Sequence, residues 1–147
     1  MKIKELYYKY KELVNYVFFG GLTTFVNWIS YIVLVRLFGG ESIAAAVSAA
    51  TAIAQVLSIL FAYVTNRKWV FESRVSGFVP ILLEMLKFFG ARAVTAVLDV
   101  ILMYIGVTLA GFNGTIMKLL SNIVIIILNY FFSKLIVFRK KADKQNY

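Results

Sequence analysis

The stretch GTIMKLLSNIVIIILNYFFSKLIV, residues 114–137, carries two charged side chains, Lys118 and Lys134, one towards each end. As a helix it would rise about 36 Å at 1.5 Å per residue, enough to cross the roughly 30 Å apolar core of a bilayer. Three more segments read the same way: 14–38, 43–64 and 86–110. The composition agrees. Of the 147 residues, 61% are hydrophobic and 16% charged, with a mean hydropathy of +0.81. Soluble domains run at about 45–50% and 25%, so polar side chains here are too few to cover a soluble surface. The net charge of +9 comes with long uncharged stretches, which excludes a soluble nucleic-acid-binding module. The expected class is an all-α membrane protein with four transmembrane helices.

Gly39-Gly40-Glu41 joins the first two segments and Gly111-Phe112-Asn113-Gly114 the last two. Turns this short pair the helices as two hairpins, with residues 65–85 as the linker. Lys2, Lys4, Lys9 and Lys11 precede the first segment; Arg67, Lys68, Arg74 and Lys87 fall between the hairpins; Arg139, Lys140, Lys141 and Lys144 follow the last. The two turns have only Arg36 and Lys118 at their margins. The positive-inside rule therefore predicts a multi-pass protein of the cell membrane, with both termini and the linker cytoplasmic.

Residues 1–13 read as a separate interfacial amphipathic segment, with Ile3, Leu6, Tyr7, Tyr10 and Leu13 at helical spacing opposite lysines. Pro80–Phe89 reads as its counterpart, Glu84 and Lys87 facing headgroups and Gly90 forming a bend. The Lys-rich start is not apolar, and the following run is too long for a signal-peptide core. Cys and His are absent, which removes disulfides, Cys/His metal sites, a thiol nucleophile and a catalytic imidazole. With neither paired carboxylates nor a ligand cluster, no catalytic residues, metal or cofactor are expected, and the chain does not read as an enzyme.

The two halves resemble each other. Residues 63–71 align with 130–138, matching Arg67 to Lys134 and, at the same offset, Gln55 to Asn122. The first and third segments match more loosely: aligning Gly39 with Gly111 pairs Thr23 with Thr95 and Asn27 with Asp99. Phe18-Phe19-Gly20 and Phe88-Phe89-Gly90 align after a two-residue shift. Both halves start on the same side, so this is a parallel repeat, which transporters use to build substrate sites.

Each segment has a polar or small-residue stripe, read either as interhelical glue or as a polar path. Arg92 and Asp99 stand out, since an ionisable group at the bilayer centre costs roughly 2.5–3.5 kcal/mol even on the mild scale. They lie seven residues apart on one face, about 10 Å along the axis. Side chains lean towards the helix N-terminus, so Arg92 reaches away from Asp99, to snorkel or to meet a phosphate. Asp99 has two readings: a structural hydrogen bond to Asn27, Gln55 or Asn122, or a functional group. Lys118 either snorkels towards the nearby helix end or contacts ligand. Arg67, Lys68 and Lys134, beside Trp69, Phe71 and Phe138, form either an interfacial anchor belt or lipid-phosphate sites.

The segments Phe18-Phe19-Gly20-Gly21-Leu22-Thr23-Thr24, 62–71 (AYVTNRKWVF) and 129–138 (NYFFSKLIVF) resemble the GtrA-like family of small four-helix membrane proteins, and Lys118 fits its pattern. The likeness runs from about Tyr16 to Phe138. Ser133 departs from it where a second Asn would complete the motif. The resemblance implies a translocase (flippase) for polyprenyl-phosphate-linked sugars in cell-surface polysaccharide or glycoconjugate synthesis, or a non-transporting anchor or regulatory partner of a membrane glycosyltransferase. On the first reading Arg67 and Lys134 gather the phosphate, Arg92 receives it, Asn27, Asp99 and Asn122 bind sugar hydroxyls, and Lys118 assists at the far side. Asn66 and Asn129, inside the motif segments, complete the substrate-binding set. The expected partners are the lipid-linked sugar, membrane lipid, a glycosyltransferase, and a second copy in a homodimer or larger homo-oligomer. A small proton-coupled exporter ranks third, because the first segment has Thr23, Thr24 and Asn27 and no carboxylate.

Overall fold

The computed structural model describes residues 2–139, with side chains described from Tyr7 onward. The basic run Lys140, Lys141 and Lys144 lies outside the described residues, as do the side chains of Ile3 and Leu6. Among the described residues every regular element is helical: α1 (Lys2–Leu37), α2 (Ala44–Thr65), α3 (Phe78–Met103) and α4 (Gly114–Phe132). Short π-helical turns follow three of them, at Asn66–Val70, Tyr104–Leu109 and Ser133–Val137. Among the described residues four helices are long and apolar enough to cross a membrane. They form two units, hairpin one up to Glu72 and hairpin two from Ser73.

In hairpin one, α1 is a single helix of 36 residues. It does not separate at residue 13, because no proline interrupts it and helical spacing continues through Val14. Its length is about 54 Å, well beyond the apolar core of a bilayer. Its first half is tied to the segment after α2. Asn15 Nδ2 donates to the Trp69 carbonyl at 3.2 Å, Tyr16 packs on Phe71, and Phe19 stacks on Trp69 with centroids 5.5 Å apart. Lys11 and Glu72 pair at 3.2 Å, but both side chains are exposed and the pair contributes little. Ala46, Ala50, Ala54, Ser58 and Ala62 form a buried stripe along α2, each four residues from the next. Such a stripe lets helix backbones approach closely.

The turn between α1 and α2 needs glycine. Gly39 and Gly40 have φ of +110° and +94°, and the Gly40 N–H donates to the Val35 carbonyl at 2.8 Å. A Cβ on Gly39 would lie 2.7 Å from Ile43 Cδ1. The isoleucine end can give way, but the backbone angle stays strained. Gly20, within α1, has nothing within 4 Å of where a Cβ would be. Opposite outcomes are expected in a detergent melt. Gly39→Ala should lose at least about 1 kcal/mol, and Gly20→Ala should gain about 0.5–1 kcal/mol.

In hairpin two, α3 begins at Phe78, eight residues before the apolar run that starts at Leu86. Gly77, at φ +94°, sets the start, and Pro80 sits in the first turn, where no backbone N–H is required. The helix continues through Gly90. Glu84 does not face headgroups: it is 4% exposed and accepts a 2.6 Å hydrogen bond from the Ser73 hydroxyl. Phe88 is fully buried and packs on Phe138 at 5.9 Å. At the other end, Asn113 caps α4 by accepting from the Thr115 and Ile116 N–H groups.

The repeat reappears in the backbone. The Phe71 N–H donates to the Asn66 carbonyl, and the Phe138 N–H to the Ser133 carbonyl, both at 2.8 Å. The two π turns are 133 − 66 = 67 residues apart, the offset that aligns Arg67 with Lys134. Each widened turn buries three equivalent residues: Asn66, Val70 and Phe71, and Ser133, Val137 and Phe138.

Candidate functional site

Polar side chains within the membrane-spanning helices gather into one group in hairpin one and two in hairpin two. In hairpin one, Asn27 Nδ2 lies 3.2 Å from Gln55 Oε1 and 3.3 Å from Ser58 Oγ. All three are neutral. Thr23 instead donates to its own helix, at the Phe19 carbonyl.

Hairpin two places charge at the aligned position. The Lys118 ammonium lies 2.5 Å from Asp99 Oδ2, and the Ser121 hydroxyl donates to Asp99 Oδ1. Lys118 and Ser121 are three residues apart on one face of α4, so both reach the same carboxylate on α3. Lys118 stands about 4.5 Å closer to the 111–113 turn than Ser121. It therefore bends inward along the helix, opposite to the snorkelling direction, because an anion waits there. Within hairpin two, Asp99 does not take Asn122 as its partner. One turn away on α3, Thr95 Oγ1 donates to Asn129 Oδ1 at 2.8 Å, with both residues buried.

Arg92 is half-buried, with its guanidinium 5.1 Å from the centre of the Phe88 ring. It makes no ion pair with any described residue. As its helical lean requires, it stays away from Asp99. Asn122 is exposed and makes no side-chain hydrogen bond to a described residue.

The remaining candidates sit at the π turns. Arg67 is half-buried. Asn66 is 3% exposed, and its Oδ1 has no donor among the described residues. Lys68 lies 4.9 Å over the Trp69 ring. Lys134 is exposed and donates to the Tyr130 hydroxyl at 3.2 Å. Among the described residues no cluster of His, Cys, Asp or Glu could hold a metal ion.

The family description "GtrA/DPMS, transmembrane domain" matches residues 15–138, nearly the whole chain. The chain belongs to the GtrA/DPMS family. It is 36% identical over 129 residues to the Uncharacterized membrane protein YwcD of Bacillus subtilis (strain 168), covering 88% of this chain and 98% of that one. It is 32% identical over 130 residues to the Cell wall teichoic acid glycosylation protein GtcA of Listeria monocytogenes serovar 1/2a, covering 88% and 86%. The protein of the same name from Listeria innocua serovar 6a is 33% identical over 128 residues, covering 87% and 85%.

For this GtrA/DPMS chain, Asp99 and Lys118 come together, as do Asn129 and Thr95, whereas the side chains of Arg92 and Asn122 join neither group by a hydrogen bond; Arg92 meets Thr95 only through its backbone carbonyl, at 3.0 Å. Ser121, Gln55, Ser58 and Glu84 were outside the candidate set drawn from sequence. Three-residue spacing from Lys118 was the available signal for Ser121. Nothing local marked Glu84 as buried.

Proposed function

We propose that this protein translocates polyprenyl-phosphate-linked sugars across the cell membrane for glycosylation of a cell-surface polymer. The carrying observation is the pair of cations in the membrane-spanning part of hairpin two. Lys118 is turned inward by Asp99, and Arg92 has no ionic partner among the described residues. Structural glue does not need such groups, since hairpin one joins its helices with Asn27, Gln55 and Ser58. A lipid-linked sugar phosphate supplies the anion, the hydroxyls and an apolar tail that stays in the bilayer. The names of the Listeria relatives agree with a supply role in glycosylation.

On this reading both termini lie in the cytoplasm, following the basic flanks. Arg67 and Lys134 gather the phosphate there, Arg92 takes it within the membrane, and Lys118 receives it beyond. Asn27, Asn66, Asn122 and Asn129 offer amides to the sugar. The chain carries out no bond chemistry itself, assembles as a homodimer or larger homo-oligomer, and works beside the glycosyltransferase that makes or uses the lipid.

The test is transfer of a polyprenyl-phosphate sugar in proteoliposomes. Arg92→Ala should lower the rate by at least about tenfold, the loss expected when a charged contact worth roughly 1.5–3 kcal/mol is removed. A wild-type rate in that variant would refute the assignment. The second reading, a non-transporting glycosyltransferase partner, is favoured by the internal pairing of Thr95 with Asn129 and of Asn27 with Gln55. Copurification with a glycosyltransferase, without any transfer, would establish it instead.

A further inference from the structure

We propose that Asp99 is a stand-in counter-ion: it holds the Lys118 ammonium inside the membrane until a lipid phosphodiester takes that ammonium over. The inference deepens the transport reading and rests on it for the identity of the phosphate carrier.

Comparison of the two hairpins carries the argument. At aligned positions hairpin one has Asn27, held by neutral Gln55 and Ser58, and hairpin two has Asp99, held by Lys118 and Ser121. Joining two helices is the same task in both. The neutral version accomplishes it without an ionised carboxylate near the bilayer centre, a cost of roughly 2.5–3.5 kcal/mol on the mild scale. The charged version must therefore serve something the neutral one does not.

The geometry says what. An ammonium has three N–H donors, and the Lys118 contacts to described residues use one, to Asp99 Oδ2. Its side chain is 47% exposed, against 24% for Asp99. Free donors therefore stay accessible while the carboxylate is engaged through both oxygens. Without Asp99, Lys118 would swing towards the nearby helix end, as lysines at such positions do. With it, the cation is already inside the bilayer and already paired, so an arriving phosphate exchanges one anionic partner for another. On departure, Asp99 takes the ammonium back. Ser121 retains the carboxylate on α3 against α4 during the exchange. Asp99 is thus a positioning residue, acting through Lys118.

Binding and turnover should then move in opposite directions. The probe is a fluorescent short-chain prenyl-phosphate hexose in phosphatidylcholine nanodiscs. Asp99→Asn keeps an amide oxygen that can still accept from the Lys118 ammonium and hold it in place, but removes the competing charge. It should tighten binding by about tenfold, within the usual range of coupling between sites, while slowing release and transfer. Lys118→Met should weaken binding, and adding Asp99→Asn to it should not restore wild-type affinity, because the ammonium that takes the phosphate is gone. Asp99→Lys combined with Lys118→Asp restores the ion pair with its ends exchanged. That double variant should recover thermal stability in detergent but not transfer. Weakened or unchanged binding in Asp99→Asn, or transfer rescued by the exchanged pair, would overturn the proposal and leave a structural bridge. Adding phosphatidylglycerol separates the two levels. Competition only at large excess supports a carrier-lipid site, whereas equal competition overturns the carrier reading and leaves counter-ion exchange standing.

Discussion

Phe88→Ala is expected to loosen hairpin two by about 2–3 kcal/mol and to disturb Arg92 at the same time. Phe88 is fully buried, packs on Phe138 at 5.9 Å, and underlies the Arg92 guanidinium at 5.1 Å. In a soluble core the loss would be about 3–5 kcal/mol, from transfer and cavity together. Lipid tails are as apolar as the interior, so the transfer part largely vanishes and lost packing remains. Removing the ring also removes a cation–π contact worth about 0.5–2 kcal/mol. The melting temperature in detergent should fall, and transfer should fall further than Phe88→Leu allows, since leucine restores volume without a π face. Equal transfer by the Ala and Leu variants, at matched stability, would show that the ring matters to packing alone.

Ala50→Leu should part α1 from α2. Ala50 is 0% exposed, the second residue of the Ala46, Ala50, Ala54, Ser58, Ala62 stripe. Three added carbons have no space there, and overpacking costs about 1–3 kcal/mol. The upper end applies, because close approach of the backbones is what this interface provides in place of a hydrophobic drive. The Asn27 contacts to Gln55 and Ser58 depend on the same separation and should weaken together. The stack of Trp69 on Phe19 gives an optical signal from hairpin one. Near-ultraviolet circular dichroism and melting temperature should both drop in Ala50→Leu and remain close to wild type in Ala49→Leu, on an exposed position. An unaltered melt in Ala50→Leu would mean that the stripe does not set the helix spacing.

Four spanning helices and two tight turns were legible because hydropathy and glycine act locally. Lipid demands long apolar runs, and φ of +110° and +71° at Gly39 and Gly111 suits glycine. The repeat was legible for a similar reason: the residues that form the two π turns recur sixty-seven positions apart. Helix extent was less legible. Amphipathic segments before 14 and 86 carry the same spacing whether they lie along the surface or continue the helix, so α1 and α3 proved longer than their apolar runs.

The polar positions were equally visible as residues and invisible as pairs. Arg92, Asp99 and Lys118 are conspicuous because charge is costly in an apolar segment. The sequence by itself determined the four helices, their joining as two hairpins and the short roster of polar groups within them. Only the tertiary structure decided that Lys118 turns inward to Asp99, that Ser121 shares the carboxylate, that Asn27 is held by neutral partners and that Glu84 is buried. The physical reason is rotational. Hydropathy specifies which residues enter a helix, whereas the rotation of one helix against its neighbour, set by small-residue packing, selects which side chains meet.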